Sequence, residues 1–164
     1  MSEKVMVIGG SGFLGSHIAD ALSDRGFDVT IFDCKPSEWL RSDQRMIVGD
    51  ILDSESLTTH LKGHDYVFHA AGVADIAEAC DNPVESVTAN VLGTTMILDA
   101  CVKAGVKRFV FTSTIYVYSE KGSFYRASKQ AAEGIIEAYQ RKYGLDYTIL
   151  RYGSLYGARA QGWN

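Results

Sequence analysis

The sequence predicts a single α/β domain built on a doubly wound parallel sheet, and three features carry that expectation. Apolar runs of four to seven residues alternate with stretches of helical periodicity along the chain. Glycines fall where helical stretches end. The runs are continuously apolar, as in Phe109-Val110-Phe111, which suits strands covered on both faces rather than one. Right-handed crossovers then give the doubly wound order. With 164 residues, 46% hydrophobic content and only 2 prolines, one domain over residues 1–164 has a sufficient core.

Strands are expected near Lys4 to Ile8, Asp28 to Phe32, Gln44 to Val48, Tyr66 to Ala70, Arg108 to Ser113 and Tyr147 to Tyr152. The first helix runs from Gly12 to about Arg25, with Leu14, Ile18, Ala21 and Leu22 on one face and Gly26 at its end. A second covers Ser54 to Leu61, capped by Asp53 or Ser54 and followed by Gly63. The third spans Pro83 to Ala104, with proline in its first turn, Gly105 beyond its end, and Val87, Val91, Thr94, Leu98 and Cys101 at helical spacing. The fourth extends from Ser123 to Tyr143 and closes at Gly144.

Between the first strand and helix lies Gly9-Gly10-Ser11-Gly12-Phe13-Leu14-Gly15. Such a turn brings bare backbone N–H groups and the positive end of a helix dipole up to a pyrophosphate, where a Cβ would block the approach. The second strand runs into Asp33, about twenty residues beyond the loop, where a carboxylate accepts both ribose hydroxyls of a dinucleotide. A 2′-phosphate there would meet a like charge with no arginine beside it, so NAD is expected over NADP, although Lys35 follows closely. Cys34 and Lys35 belong to the same adenosine-side segment.

Tyr125-Arg126-Ala127-Ser128-Lys129 is the second informative motif. Residues four apart on a helix share a face, so the Tyr125 phenol and the Lys129 ammonium point into one space. A free phenol titrates near 10 and is a poor base at neutral pH. A lysine charge at roughly 5 Å and an effective dielectric of about 20 would favour phenolate by roughly 3 kcal/mol. Thr112-Ser113-Thr114 ends the fifth strand, at the edge where parallel sheets bind ligands.

Together these residues resemble the extended short-chain dehydrogenase/reductase family and, within it, the nucleotide-sugar epimerases. The likeness covers the whole chain: the glycine loop, Gly49-Asp50-Ile51, His69-Ala70-Ala71-Gly72, Asn90-Val91-Leu92-Gly93-Thr94, Thr112 to Thr114, Tyr125 with Lys129, and Arg151-Tyr152-Gly153-Ser154-Leu155-Tyr156-Gly157. The resemblance implies a Rossmann sheet, an NAD cofactor and a nucleotide-sugar substrate. It implies Tyr125 as general base, Thr114 as its hydroxyl partner, and Lys129 as the ribose-binding lysine. Cofactor contacts would come from Gly9, Gly12, Phe13, Leu14, Gly15, Asp33, Cys34, Lys35, Asp50, Ile51, Ala70, Ala71, Gly72, Asn90, Thr112, Ser113, Tyr125, Lys129, Tyr152, Gly153 and Leu155. It also raises a homodimer through a four-helix interface, with Val91, Met96, Ile135 and Tyr139 as candidates. Two departures stand out. Only ten residues separate Thr114 from Tyr125, so the loop that covers the sugar is short. The sequence ends at Asn164, where family members continue into a segment that binds the sugar and its nucleotide, so this chain is expected to be the cofactor half.

A net charge of −4 with scattered positive residues argues against a nucleic-acid surface or a polybasic membrane patch. Cys34, Cys80 and Cys101 show neither disulfide logic nor metal-ligand spacing, so reduced thiols in the cytoplasm are expected, with no metal. The N-terminus passes straight into a strand, without a signal-peptide pattern or a membrane-length apolar run. His69, ending an apolar strand, reads as an interior histidine, and Tyr116 and Tyr118 as pocket wall or packing. An NAD-dependent epimerase is thus the leading expectation. A keto-sugar or aldehyde reductase, or a dinucleotide-binding module without turnover, are the alternatives.

Overall fold

A computed structural model describes residues 2–160, so the ends of the expected domain, Met1 and Gln161 to Asn164, lie outside the described residues. Six strands form one parallel sheet: β1 (Lys4–Ile8), β2 (Asp28–Asp33), β3 (Gln44–Val48), β4 (Tyr66–His69), β5 (Arg108–Thr114) and β6 (Asp146–Tyr152). Their order is β3-β2-β1-β4-β5-β6, with Val5 paired to both Val29 and Tyr66. The chain leaves β1 toward β2 but later returns to its other side with β4, and the two crossovers separate there. A crevice at the carboxyl ends of β1 and β4 is the consequence.

Successive side chains point to opposite faces of each strand, and the two hydrophobic clusters follow this alternation. Met6, Ile8, Phe32, Val67, Phe109 and Phe111 face one side, under α2 (Ser54–Leu61), α5 (Thr94–Ala104) and α6 (Ser123–Tyr143). Val7, Val29 and Ile31 face the other, under Ala19 and Leu22 of α1 (Phe13–Ser23). Of the expected α1 stripe, Ile18 and Leu22 pack against this cluster, whereas Leu14 and Ala21 do not join it and the fully buried residue is Ala19, one position on from Ile18. The last two residues expected of α1, Asp24 and Arg25, instead form the turn into Gly26, whose φ of +83° ends the helix. At α2 the Asp53 carboxylate accepts from the Glu55 and Ser56 amides, which satisfies donors the first turn leaves free.

The expected third helix proves to be segmented. A short α3 (Ile76–Asp81) precedes it, capped by Asp75, too short to show periodicity in the sequence. Then α4 (Pro83–Val87) passes into a π-helical turn over Thr88–Gly93 before α5. The wider turn carries Asn90, which is 2% exposed, and Gly93, where a Cβ would lie 2.6 Å from Ile51 Cδ1. Thr94 and Thr95 donate their hydroxyls back to the carbonyls of Asn90 and Val91, adding to the turn's hydrogen bonding. After β5 comes a 3₁₀ turn, Ile115–Tyr118, that was not apparent from the sequence.

Candidate active site

The glycine loop lies at the crevice. Gly9 adopts φ +84°, its amide donates to the Phe32 carbonyl at 2.8 Å, and a Cβ there would sit 2.3 Å from the Ala71 nitrogen. The β1 loop and the Ala70-Ala71-Gly72 turn can touch only because the residue is glycine. Gly12 is exposed and caps α1; Phe13 and Leu14 follow half-buried, and Gly15 is buried against Gly9. Asp33 leans over the loop: its carboxylate accepts from the Ser11 amide at 3.0 Å and the Lys35 amide at 3.2 Å. Each oxygen keeps a lone pair free for a further donor.

Beside it lies a cavity of about 430 Å³ lined by Phe32, Asp33, Cys34, Gly49, Asp50, Ile51, Leu52, Ala71, Gly72, Val73, Glu85, Thr88 and Ala89. The fold thus gathers six of the expected cofactor residues, Asp33, Cys34, Asp50, Ile51, Ala71 and Gly72, in one wall. Asp50 also accepts from the Leu52 amide at 2.9 Å, so it shapes the turn it stands on. Lys35 is exposed outside the lining. Burial, followed by the charge of Asp33, pushes the Cys34 thiol above its ordinary pKa, which leaves it a protonated neighbour of the cavity. Sequence reading missed Glu85, Thr88 and Ala89. Their shared helix face, at spacings of three and four, is the signal that could have found them.

Asn90 follows directly on Ala89 of the cavity wall. Its carbonyl oxygen accepts from the Val73 amide at 2.8 Å, and its amide group donates to the Val73 carbonyl at 2.9 Å and to the Ser128 hydroxyl at 3.0 Å. Asn90 thereby ties the turn after β4 to α6. His69, fully buried, meets the Thr94 hydroxyl at 2.9 Å, and burial, then the nearby Lys129 charge, brings its pKa down to about 3. It is a neutral interior histidine.

The proton-handling residues lie at the end of β5. Thr112, Ser113 and Thr114 are all buried, and Tyr125 and Lys129 reach them from the first two turns of α6. The Thr114 hydroxyl lies close enough to the Tyr125 phenol to favour its ionised form and accepts from the Tyr116 amide at 3.2 Å, while the Tyr116 ring stands edge-on to Tyr125. Lys129 donates to the Thr112 carbonyl at 3.0 Å and lies 5.9 Å from the Tyr125 ring centroid. Burial brings the Lys129 amine down to about 8, with the Glu133 charge opposing this. Burial also raises the Tyr125 phenol above its ordinary value, and the Thr114 contact only partly offsets it. The phenol lowered toward neutrality that the sequence suggested is not what this geometry gives, because the ammonium is itself desolvated and turned to a backbone carbonyl.

Thr112 donates its hydroxyl to the His69 carbonyl at 3.0 Å, and Ser113 donates to Glu133, so both hydroxyls are committed to the protein. Tyr152 is half-buried opposite Thr114 in the β5–β6 register, Gly153 is exposed and Leu155 half-buried beyond it. A smaller apolar cavity, of about 220 Å³, lies among the first residues of the strands, with Val5, Tyr66 and Arg108 in its lining. It stands at the opposite end of the sheet from these groups.

This order of elements is shared widely. The family model described as "NAD dependent epimerase/dehydratase family" matches residues 5–163. The chain belongs to the NAD-dependent epimerase/dehydratase family. Among family relatives, the UDP-glucose 4-epimerase of Azospirillum brasilense is 32% identical over 98% of this chain and 51% of its own. A UDP-glucose 4-epimerase of Thermotoga maritima, solved with UDP-glucose, superposes with a TM-score of 0.91 at 31% identity, covering 98% of this chain and 59% of that one. The Thermus thermophilus UDP-glucose 4-epimerase complex with NAD gives 0.88 at 32% identity, covering 96% and 57%. The chain therefore spans just over half the length of these family members. Among the described residues no helix is long and apolar enough to cross a membrane.

Proposed function

We propose that this chain is the cofactor-holding portion of an NAD-dependent nucleotide-sugar epimerase. The observation that carries the reading is the meeting, along one edge of one sheet, of a Cβ-free phosphate loop under Asp33 with a Tyr125–Thr114 hydroxyl pair. The residues present fit the dinucleotide. Gly12 and the free end of α1 would hold the pyrophosphate, Asp33 the adenosine ribose, and the cavity between Phe32 and Ala89 the adenine. Bound NAD supplies a hydride acceptor and donor next to the hydroxyl pair. Tyr125 takes the proton from a sugar hydroxyl, with Thr114 sharing it, and returns it when the keto sugar is reduced from its other face. Lys129 holds the nicotinamide ribose and lends positive charge when that end of the site is closed. UDP-glucose 4-epimerases among the relatives support a UDP-sugar as the substrate class.

A homodimer through paired helices belongs to the same reading. Met96, Ile135 and Tyr139 already pack against the chain's own core, whereas Val87 at 45% and Leu92 at 50% exposure, with Ala131 and Gly134, offer free surface. We place the protein in the cytoplasm, in keeping with the exposed free thiols of Cys34 and Cys80.

The deciding experiment is the thermal melt of the purified chain with and without NAD. A ligand that binds the native state must raise its apparent stability, so an unchanged melt at millimolar NAD would overturn the reading. Tyr125→Phe should keep the NAD-induced rise while any interconversion of UDP-glucose with its C4 epimer disappears. Undiminished turnover in that variant removes Tyr125 from the mechanism.

A further inference from the structure

Three residues on one face of α6 meet three successive residues of β5. Tyr125 lies beside the Thr114 hydroxyl, Lys129 donates to the Thr112 carbonyl at 3.0 Å, and Glu133 accepts from the Ser113 hydroxyl at 2.5 Å. Glu133 is 8% exposed and its carboxylate is gripped twice more, by Arg151 Nε at 3.1 Å and Nη2 at 2.8 Å. Arg151 stands beside Ser113 in the β5–β6 register, stacks over the Tyr118 ring with 4.9 Å to the centroid, and donates to the Tyr118 hydroxyl. One buried carboxylate therefore joins α6, β5, β6 and the 3₁₀ turn. Ser113, the residue it holds, sits between the carbonyl that takes the lysine and the hydroxyl that meets the phenol.

We propose that Glu133 is a positioning residue for the Tyr125–Lys129 pair, acting through Ser113 and Arg151 to fix the strand end that both groups address. This rests on the reading of Tyr125 as the proton-transfer residue and Lys129 as its ribose-holding neighbour. Spacing and bond type both support the assignment. Residues 125, 129 and 133 repeat every four positions, so sliding α6 along β5 breaks all three contacts together. Glu133 alone of the three also makes a charged, bidentate contact, to Arg151 on β6, and so is the most resistant to such movement. Burial alone would raise the Glu133 carboxyl, but Arg151 and Ser113 hold it below its ordinary value, so it is an anion one helical turn from the Lys129 ammonium. The titratable groups facing Lys129 are Tyr125 and Glu133 on its own helix and His69 on β4; those facing Glu133 are Lys129 and Arg151, with Tyr118 on the far side of Arg151, and Tyr116 faces Tyr125.

The test reads Lys129 directly, in the 164-residue chain, by NMR titration of 13Cε-labelled lysines, with Lys129→Arg identifying the resonance. Glu133→Gln removes the anion while keeping a side chain that accepts from Ser113. It should raise the acid dissociation constant of the Lys129 ammonium by roughly threefold to tenfold. Ser113→Ala, which leaves the charge in place, should leave that constant within about twofold, yet weaken NAD affinity several-fold by loosening the strand end. Folded Glu133→Gln with an unchanged Lys129 titration overturns the electrostatic half of the proposal, and Ser113→Ala with wild-type NAD affinity overturns the positioning half. Should Glu133→Gln fail to fold by circular dichroism, Arg151→Lys, which loses the bidentate grip but keeps the charges, is measured for NAD affinity: a several-fold loss is expected, and wild-type affinity overturns the positioning half. A wild-type chain that binds no NAD would instead sink the functional reading, and the lysine titration would still decide the Glu133–Lys129 coupling.

Discussion

A methyl group added at Gly15 would sit 2.0 Å from the Gly9 carbonyl oxygen and 2.8 Å from Gly9 C and Gly10 Cα, all backbone atoms with nowhere to go. At Gly12 the same methyl would meet only the Gly9 oxygen, at 3.5 Å, and the backbone there (φ −77°, ψ 175°) is open to any residue. Gly15→Ala should therefore cost the fold about 3 kcal/mol or more, at the upper end of overpacking. That corresponds to a melting temperature lower by about 6–12 °C for a domain of this size. Gly12→Ala should stay within about 1 kcal/mol of wild type, since its small capping loss is offset by reduced chain entropy. Its effect should fall on the ligand. At a concentration 100 times the Kd, NAD stabilises wild type by about 2.7 kcal/mol, a rise of about 5–11 °C. If the methyl at residue 12 weakens the pyrophosphate contact about 100-fold, the same concentration gives only about 0.4 kcal/mol, a rise of about 1–2 °C. Melts of the three proteins with and without NAD measure both effects. A Gly12→Ala protein that keeps the full NAD-induced rise would refute the placement of the pyrophosphate over this loop.

Lys129 titrates in the folded chain at about 8, below an unfolded lysine, so the unfolded state binds the extra proton between pH 8 and about 10.5 and stability rises across that window. Lys129→Met should therefore stabilise the fold at pH 7, by up to about 3 kcal/mol, and the gain should vanish by about pH 10.5; paired melts at the two pH values check it. Asn90→Ala strips the partner from the Val73 amide and from two acceptors inside the fold, and should cost about 2–4 kcal/mol in urea unfolding. His69 should remain neutral by imidazole 15N shifts from pH 8 down to about pH 4, because its charged form has no solvent; by linkage it contributes to acid unfolding as pH falls below about 6.5.

Elements whose cause is local could be read from the chain directly. Asp53 caps α2 because its carboxylate needs only amides two and three residues away, and Gly144 ends α6 with φ +72° because no side chain opposes that turn. The Tyr125–Lys129 pairing was legible for the same reason: helical spacing alone puts both on one face. The π-helical turn over Thr88–Gly93 was not, since its wider winding depends on Gly93 meeting Ile51 and on Asn90 reaching Val73 and Ser128. Nor were Glu85, Thr88 and Ala89 as cavity wall, because which face of a helix borders the crevice is decided by what packs behind it.

The amino-acid order by itself determined the parallel sheet, the glycine turn with Asp33 beyond it, and the phenol and ammonium side by side, all set by backbone preferences over a few residues. Only the tertiary structure decided that Lys129 is buried and drawn to a carbonyl, that the phenol is raised rather than lowered, and that Glu133 and Arg151 anchor the strand end. These depend on solvent exclusion and on the packing of α6 across β5 and β6, which brings together residues 17 to 20 positions apart. Local spacing fixes which face a side chain takes. The dielectric and the partners it finds there belong to the assembled fold.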